Sequence, residues 1–424
     1  MQQTTIANNN RYAIIIIGTL FFIFGFVTWL NGTLIPFLKL ACQLKTDIEA
    51  FFVTSAFYMA YFFLAIPSSI ILRKTGFKNG MALGLLVMAI GSVIFIPAAN
   101  TRNFYLFLSG LFIQGAGLAL LQTASNPYIS IIGPIESAAK RISIMGICNK
   151  TAGILSPLIL GALVLKNATA IEKEILNTVD PIRKNELLNE LTSRVVPPYI
   201  IMAIVLALLA FMIMKSKLPE IDEPKDSTES KTMALAKTNV FQFPHLVLGV
   251  LCIFLYVGAE VMAGDAIGTY GKSMGMPLDE TKYFTTFTLC AMLIGYVAGI
   301  FTIPKIISQQ KALSISAVLG IIFTICVFVA TSYTAITFIA LLGLANALMW
   351  PAIFPLAISG LGRFTKIGSA LLIMGIAGGA VLPLIYSSLK DKLHVTNQLS
   401  FLLCIFPCYL YILYYSVKGY KAGK

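Results

Sequence analysis

The chain has 424 residues, of which 58% are hydrophobic and only 12% charged, with a formal net charge of +13. Apolar stretches of membrane-spanning length recur along the whole sequence, which excludes a soluble fold. The basic excess does not point to nucleic acid, because Lys and Arg are scattered through short connections rather than gathered on an aromatic-interleaved face.

In chain order, apolar segments of roughly 20 residues fall at about 12–38, 50–72, 80–99, 103–132, 142–166, 196–214, 244–271, 283–303, 312–332, 335–361, 367–389 and 397–417. The first is longer than a signal-peptide core, lacks a clear small-x-small cleavage site and is followed by further spans, so it reads as a retained helix. An even number of crossings puts both termini on one side. Lys and Arg are commoner in the segments on that side, so the positive-inside rule places the termini in the cytoplasm of a bacterial-type inner membrane.

Lys215 to Pro244 is the least apolar stretch on that side and carries Glu220, Asp222, Glu223, Asp226 and Glu229. It predicts a linker, 215–243, between an N-terminal six-helix bundle, 1–214, and a C-terminal one, 244–424. Weak echoes at an offset near 230 fit parallel repeats: Phe24-Gly25-Phe26 against Tyr256-Val257-Gly258, and Asn126-Pro127-Tyr128 against Phe354-Pro355-Leu356. The expected fold is an all-α polytopic membrane protein with 12 transmembrane helices in two pseudo-symmetric six-helix bundles.

The seven cysteines lie mostly within apolar segments without a CxxC pair and read as small core residues. His245 and His394 sit near span ends, unsuited to a proton relay. HExxH, GxSxG, P-loop and dinucleotide patterns are missing, so neither an enzyme nor a bound cofactor is expected.

Polar residues inside the spans carry the functional expectations. Glu260 and Asp265 interrupt the apolar run from Leu246 to Tyr270, and carboxylates at such depth need a partner, a wet cavity or a proton. On an ideal helix they stand about 140° apart, with Asp265 about 7.5 Å further from the terminal side. Their roles therefore separate: Glu260 as a ligand-binding or cation-coupling group or else half of a buried structural ion pair, Asp265 as a second coupling acid, an outer gate or a residue wetted by the outer vestibule. Gly258, Gly264 and Gly268 leave room for helix distortion there. Lys150, about 12 Å into its span, is either a snorkelling side chain or a fixed cation facing a carboxylate or a ligand.

Gln114, Gln122, Ser125 and Asn126 form a polar stripe on span four, readable as a ligand-binding face or as interhelical glue. Trp29 and Trp350, the only tryptophans, lie inside spans rather than in the interfacial belts. An indole there either fills core or offers a stacking face and an N–H to a ligand. Asn31, close to Trp29, is a further candidate ligand. Gly76-x-x-x-Gly80, Gly80-x-x-x-Gly84 and the cluster Gly375, Gly378 and Gly379 are expected to serve packing or gating.

The 2–3 loop, Arg73-Lys74-Thr75-Gly76-Phe77-Lys78-Asn79-Gly80, resembles the basic loop of the major facilitator superfamily. Phe24 to Leu34, Leu121 to Tyr128 with Gly133-Pro134, and Tyr256 to Glu260 resemble its fucose/proton symporter branch, most of all the glucose/galactose transporter subgroup. The resemblance implies alternating-access sugar uptake by two rocking bundles. As aligned, the fucose branch has carboxylates where this chain has Gly32 and Gln122. It also has a Gln three residues before the position of Asn149 that this chain lacks.

These readings lead to one expected function: import of a glucose/galactose-like hexose by cation symport, in a protein that works as a monomer in the lipid bilayer. Substrate binding is expected at Trp29, Asn31, Gln122, Asn126, Asn149, Glu260 and Trp350, and ion coupling at Glu260, Asp265 and Lys150. The cation is Na+ or H+, with a possible Na+ position near Glu260. The alternatives are a proton-coupled fucose or N-acetylglucosamine symporter, a sugar facilitator, and a membrane sugar sensor, which the short termini argue against.

Overall fold

The computed structural model describes residues 2–131, 138–216, 218 and 238–423, and among them every regular element is helical. Eleven stretches are long and apolar enough to cross a membrane. One of them, Asp47–Thr101, has 55 residues, about 80 Å at the helical rise and far more than one hydrocarbon core requires. It is spans two and three joined: Gly76 turns the chain at φ 75°, a left-handed conformation that glycine adopts without a Cβ clash. Twelve crossings result, in the expected order.

Local signals set several span starts. Thr46 and Glu49 form a reciprocal capping box before span two, and the Ser308 and Thr396 side chains accept the Lys311 and Leu399 N–H groups before spans nine and twelve. Large apolar side chains such as Phe63, Ile90, Leu208, Phe301 and Val329 are left exposed, as a lipid-contacting surface requires.

Four spans expected to be continuous are broken. Span one is Gln2–Thr28 then Asn31–Ala41, and span seven is Pro244–Gly264 then Ile267–Ser273. Span ten divides into Ser332–Asn346 and Met349–Ile358, and span eleven turns through Gly375–Ala377. In span ten the cause is Pro351, which has no N–H to donate and whose ring clashes with the carbonyl of Ala347. A hydropathy window averages across such breaks, so composition does not report them. The connection between spans five and six, read from sequence as a loop, is two helices, Ala168–Asn177 and Pro181–Ser193; the Asp180 side chain caps the second.

Glycines set the closest helix approaches. A Cβ on Gly25 would lie 1.8 Å from the Asn149 carbonyl oxygen, one on Gly378 1.7 Å from that of Phe254, and one on Gly84 2.7 Å from that of Gly117. Spans one and five, seven and eleven, and three and four thus cross almost backbone to backbone. Gly133, Pro134 and residues 219–237 of the expected linker lie outside the described residues.

The His245 N–H donates to the Ala422 carbonyl and the Lys78 ammonium to that of Ser216, at 2.6 Å. The 2–3 turn, the end of span six, the start of span seven and the C-terminal turn therefore share one face, called here the terminal face. The 1–2, 5–6, 7–8 and 11–12 connections build the far face.

Candidate transport site

Side chains of spans from both halves of the chain enclose a cavity of about 90 Å³, room for several waters. The first six spans contribute Trp29, Tyr58, Tyr61, Gln122, Asn126, Asn149 and Lys150; the last six contribute Tyr256, Glu260, Tyr296 and Trp350.

Lys150 and Glu260 meet at its centre. The Lys150 ammonium is 2.9 Å from Glu260 Oε1 and 4.2 Å from the centroid of the Trp29 ring, and only 5% of the lysine is exposed. Snorkelling is thereby excluded for this geometry, because the cation is spent on a carboxylate from the other half. The cation beside Glu260 Oε1 in this structure is therefore the Lys150 ammonium. A buried pair of this kind adds little net stability, but either charge alone would be costly.

Trp29 is held on three sides. Its indole N–H donates to Asn149 Oδ1 at 3.3 Å, and the Asn149 amide donates in turn to the Phe21 carbonyl. Gly264 admits the ring: a Cβ there would lie 2.3 Å from Trp29 Cζ3. Gln122 donates to the Tyr61 hydroxyl at 3.0 Å and Asn126 to the Gln122 carbonyl at 3.0 Å. Trp350 stacks on Phe354 with ring centroids 5.7 Å apart and stands 6.5 Å from Tyr256. Two indole faces, several phenols, three amides and one ion pair suit a neutral ligand with hydroxyl groups and apolar C–H faces.

Four expected participants lie elsewhere; Ser125 is buried and does not line the cavity. Gln114 is buried against Ser92, to which it donates at 2.8 Å, and links spans three and four. Asn31 and Asp265 do not line the cavity; they sit at the breaks of spans one and seven, 0% and 1% exposed. Asp265, the residue after Pro244–Gly264, keeps helical dihedrals and donates its N–H to the Val261 carbonyl at 2.7 Å, so five residues along the helix turn it away from the cavity that Glu260 faces.

Tyr58, Tyr61 and Tyr296 were not singled out from sequence. Tyr58 and Tyr61, three apart on span two, share a helix face, a pattern that core packing produces equally well.

Polar contacts across the two halves close the far face. Asp47 pairs with Lys390 as well as with its neighbour Lys39, and Glu172 pairs with Lys272. Asp391 accepts the Asp47 and Ile48 N–H groups at 3.0 and 3.2 Å, capping the start of span two from the other half. Thr169 and Asp279 exchange two hydrogen bonds, 3.1 and 3.2 Å, and Lys282 donates to the Leu165 carbonyl at 2.9 Å.

A family model described as Major Facilitator Superfamily matches residues 17–385. The chain belongs to that superfamily. It is a transporter by family and not an enzyme. Among curated relatives, the glucose/galactose transporter of Brucella abortus biovar 1 (strain 9-941) is 33% identical over 427 residues, covering 99% of this chain and 97% of the relative. The L-fucose-proton symporter of Escherichia coli (strain K12) is 29% identical, covering 88% and 85%. The solved structure of FucP, a major facilitator transporter in the outward conformation, superposes with a TM-score of 0.77 at 27% identity, over 96% of this chain and 98% of that one. The resemblance read from the loop and span motifs and the twelve-span fold thus stand together.

Proposed function

We propose that this major facilitator protein imports a hexose of the glucose/galactose type by cation symport through alternating access. The observation that carries the reading is the cavity between the halves, where Trp29, Trp350, Gln122, Asn126 and Asn149 surround the Lys150–Glu260 pair. The named activities of the Brucella and Escherichia relatives support the substrate class.

In this reading 1–214 and 244–424 rock about the cavity, joined by a cytoplasmic linker, 215–243, and the far face looks outward from a bacterial inner membrane. Each indole offers its face to the sugar ring, while Gln122, Asn126, Asn149 and Glu260 hold its hydroxyls. Asn31 acts behind Trp29 rather than as a direct contact. The coupling groups are Glu260, Asp265 and Lys150: a cation favours one arrangement of the halves and sugar another, so the two loads move together. A single chain contains the complete site, and we propose that it works as a monomer.

A facilitator is the second reading, favoured by one observation: Lys150 already neutralises Glu260 without an external ion. Radiolabelled uptake into proteoliposomes separates the two. Glucose, galactose, fucose and N-acetylglucosamine are offered under separately imposed Na+ and H+ gradients. Symport predicts gradient-driven accumulation of glucose or galactose above the outside level; exchange of labelled sugar without accumulation under either gradient would establish the facilitator.

A further inference from the structure

A second cavity, about 540 Å³, lies at the far face and is lined by Ile35, Pro36, Lys272, Gly268 and Thr269 among others. Trp29 and Glu260 belong to the inner cavity, Ile35 and Gly268 to the outer one, while residues 30–34 and 261–267 line neither. These two short segments, which contain the break in span seven and follow that in span one, are the partition between the cavities.

The partition is polar where a simple seal would be apolar. Asn31, Thr33 and Asp265 are each 1% exposed or less; the Asn31 amide and the Thr33 hydroxyl have no hydrogen-bond partner, and no side chain donates to either Asp265 oxygen. Around them the other polar groups are used. Thr285 and Thr288 hydroxyls donate to the Gly264 and Ala263 carbonyls, both at 2.8 Å. Gly32 has no side chain to offer, and a Cβ there would lie 2.5 Å from Thr285 Oγ1. The groups that act on Asp265 are the Gly32 N–H from span one, Tyr58 from span two, Lys150 from span five and Glu260 from its own span. Lys150 is bound to Glu260.

An ionised carboxylate served by one backbone N–H and no side-chain donor, so far from water, costs several kcal/mol. A proton removes that charge by forming one O–H bond. A metal cation would instead need a shell of several oxygen ligands.

We propose that Asp265 is the proton carrier of the symport, taking a proton from the far vestibule and giving it up on the terminal side, with Asn31 and Thr33 completing the partition it passes. This rests on the symport reading and adds to it the ion and the residue. Closure of the far face with sugar aboard requires Asp265 to be neutral; an ionised Asp265 holds the partition open to water. Lys150 and Glu260 then serve the sugar.

The test uses the full chain in proteoliposomes with an inside-alkaline gradient. Asp265→Asn, a permanently neutral side chain of the same shape, is expected to keep sugar counterflow while losing proton-driven accumulation and sugar-evoked proton uptake. Accumulation by Asp265→Asn at the wild-type level overturns the proposal. So does a wild-type protein driven by Na+ alone, which leaves symport standing. No accumulation by the wild type under either gradient overturns the symport reading itself. Should Asp265→Asn also lose counterflow, Asp265→Glu decides: recovery of proton-driven uptake with an altered pH profile supports the carrier role, and failure alongside Asn makes the residue structural.

Discussion

Removing Lys150 alone should damage the protein more than removing Lys150 and Glu260 together. At 2.9 Å and an effective dielectric of about 20, the Coulomb attraction is about 6 kcal/mol. Desolvating two ions costs several kcal/mol each, so the intact pair is near break-even. Lys150→Met leaves the Glu260 carboxylate buried with no counter-charge and is expected to cost about 3–5 kcal/mol. It also forfeits the cation–π contact with Trp29, worth about 1–2 kcal/mol in a desolvated site. Lys150→Met with Glu260→Leu removes both charges and should fall within about 2 kcal/mol of the wild type, or above it. The assay is equilibrium unfolding of the detergent-solubilised protein in a rising fraction of SDS, followed by tryptophan fluorescence, to which both tryptophans of the site report. A double-mutant cycle then gives a coupling energy of about 3 kcal/mol or more. A single-mutant cost below about 1 kcal/mol, or additive effects, would refute the reasoning, because the pair would then be solvated and not a dry bridge between the halves.

Asp391→Ala strips two backbone N–H groups at the start of span two of an ionised partner, a loss of about 1.5–3 kcal/mol. Labelling of a cysteine placed at Thr269 by an impermeant maleimide should rise roughly 10- to 100-fold as the far face opens, and an unchanged labelling rate would count against the closure described. Gly378→Ala puts a Cβ 1.7 Å from the Phe254 carbonyl oxygen, a backbone atom that cannot step aside; spans seven and eleven must separate, and thermal stability should fall by more than about 1–3 kcal/mol. Gln122→Leu and Trp350→Ala should each weaken sugar binding, measured by equilibrium counterflow, without abolishing folding. Gln122 loses a hydroxyl partner and the Tyr61 hydrogen bond, about 1–3 kcal/mol, and Trp350 a stacking face of about 0.5–1.5 kcal/mol.

Much of the site was readable before any fold was known. A charge or amide inside an apolar span is conspicuous against hydrocarbon, and Trp29, Gln122, Asn126, Asn149, Lys150, Glu260 and Trp350 all reach one cavity. Gln114 was drawn into the same stripe because helical periodicity gives direction around an axis but not what stands opposite; Ser92 stood there. Asn31 was singled out for its closeness to Trp29 in sequence, which does not give the direction of a side chain beyond a helix break, whereas the wide angle between Glu260 and Asp265 on one helix agrees with only Glu260 reaching the cavity. The tyrosines went unremarked because an aromatic residue on a membrane helix looks the same whether it meets a ligand, a neighbour or lipid.

Composition and span length alone determined that this is a membrane protein of twelve crossings, since backbone amides in hydrocarbon must be satisfied within each helix and about 20 apolar residues do so. The depth of Glu260, Asp265 and Lys150 followed from counting residues along those spans. Tertiary structure alone decided the pairing of Lys150 with Glu260, the closure of the far face and the isolation of Asp265 in a partition between two cavities. Each of these depends on residues one hundred or more positions apart meeting across the seam between the two halves, and on helix breaks that hydrophobicity does not record.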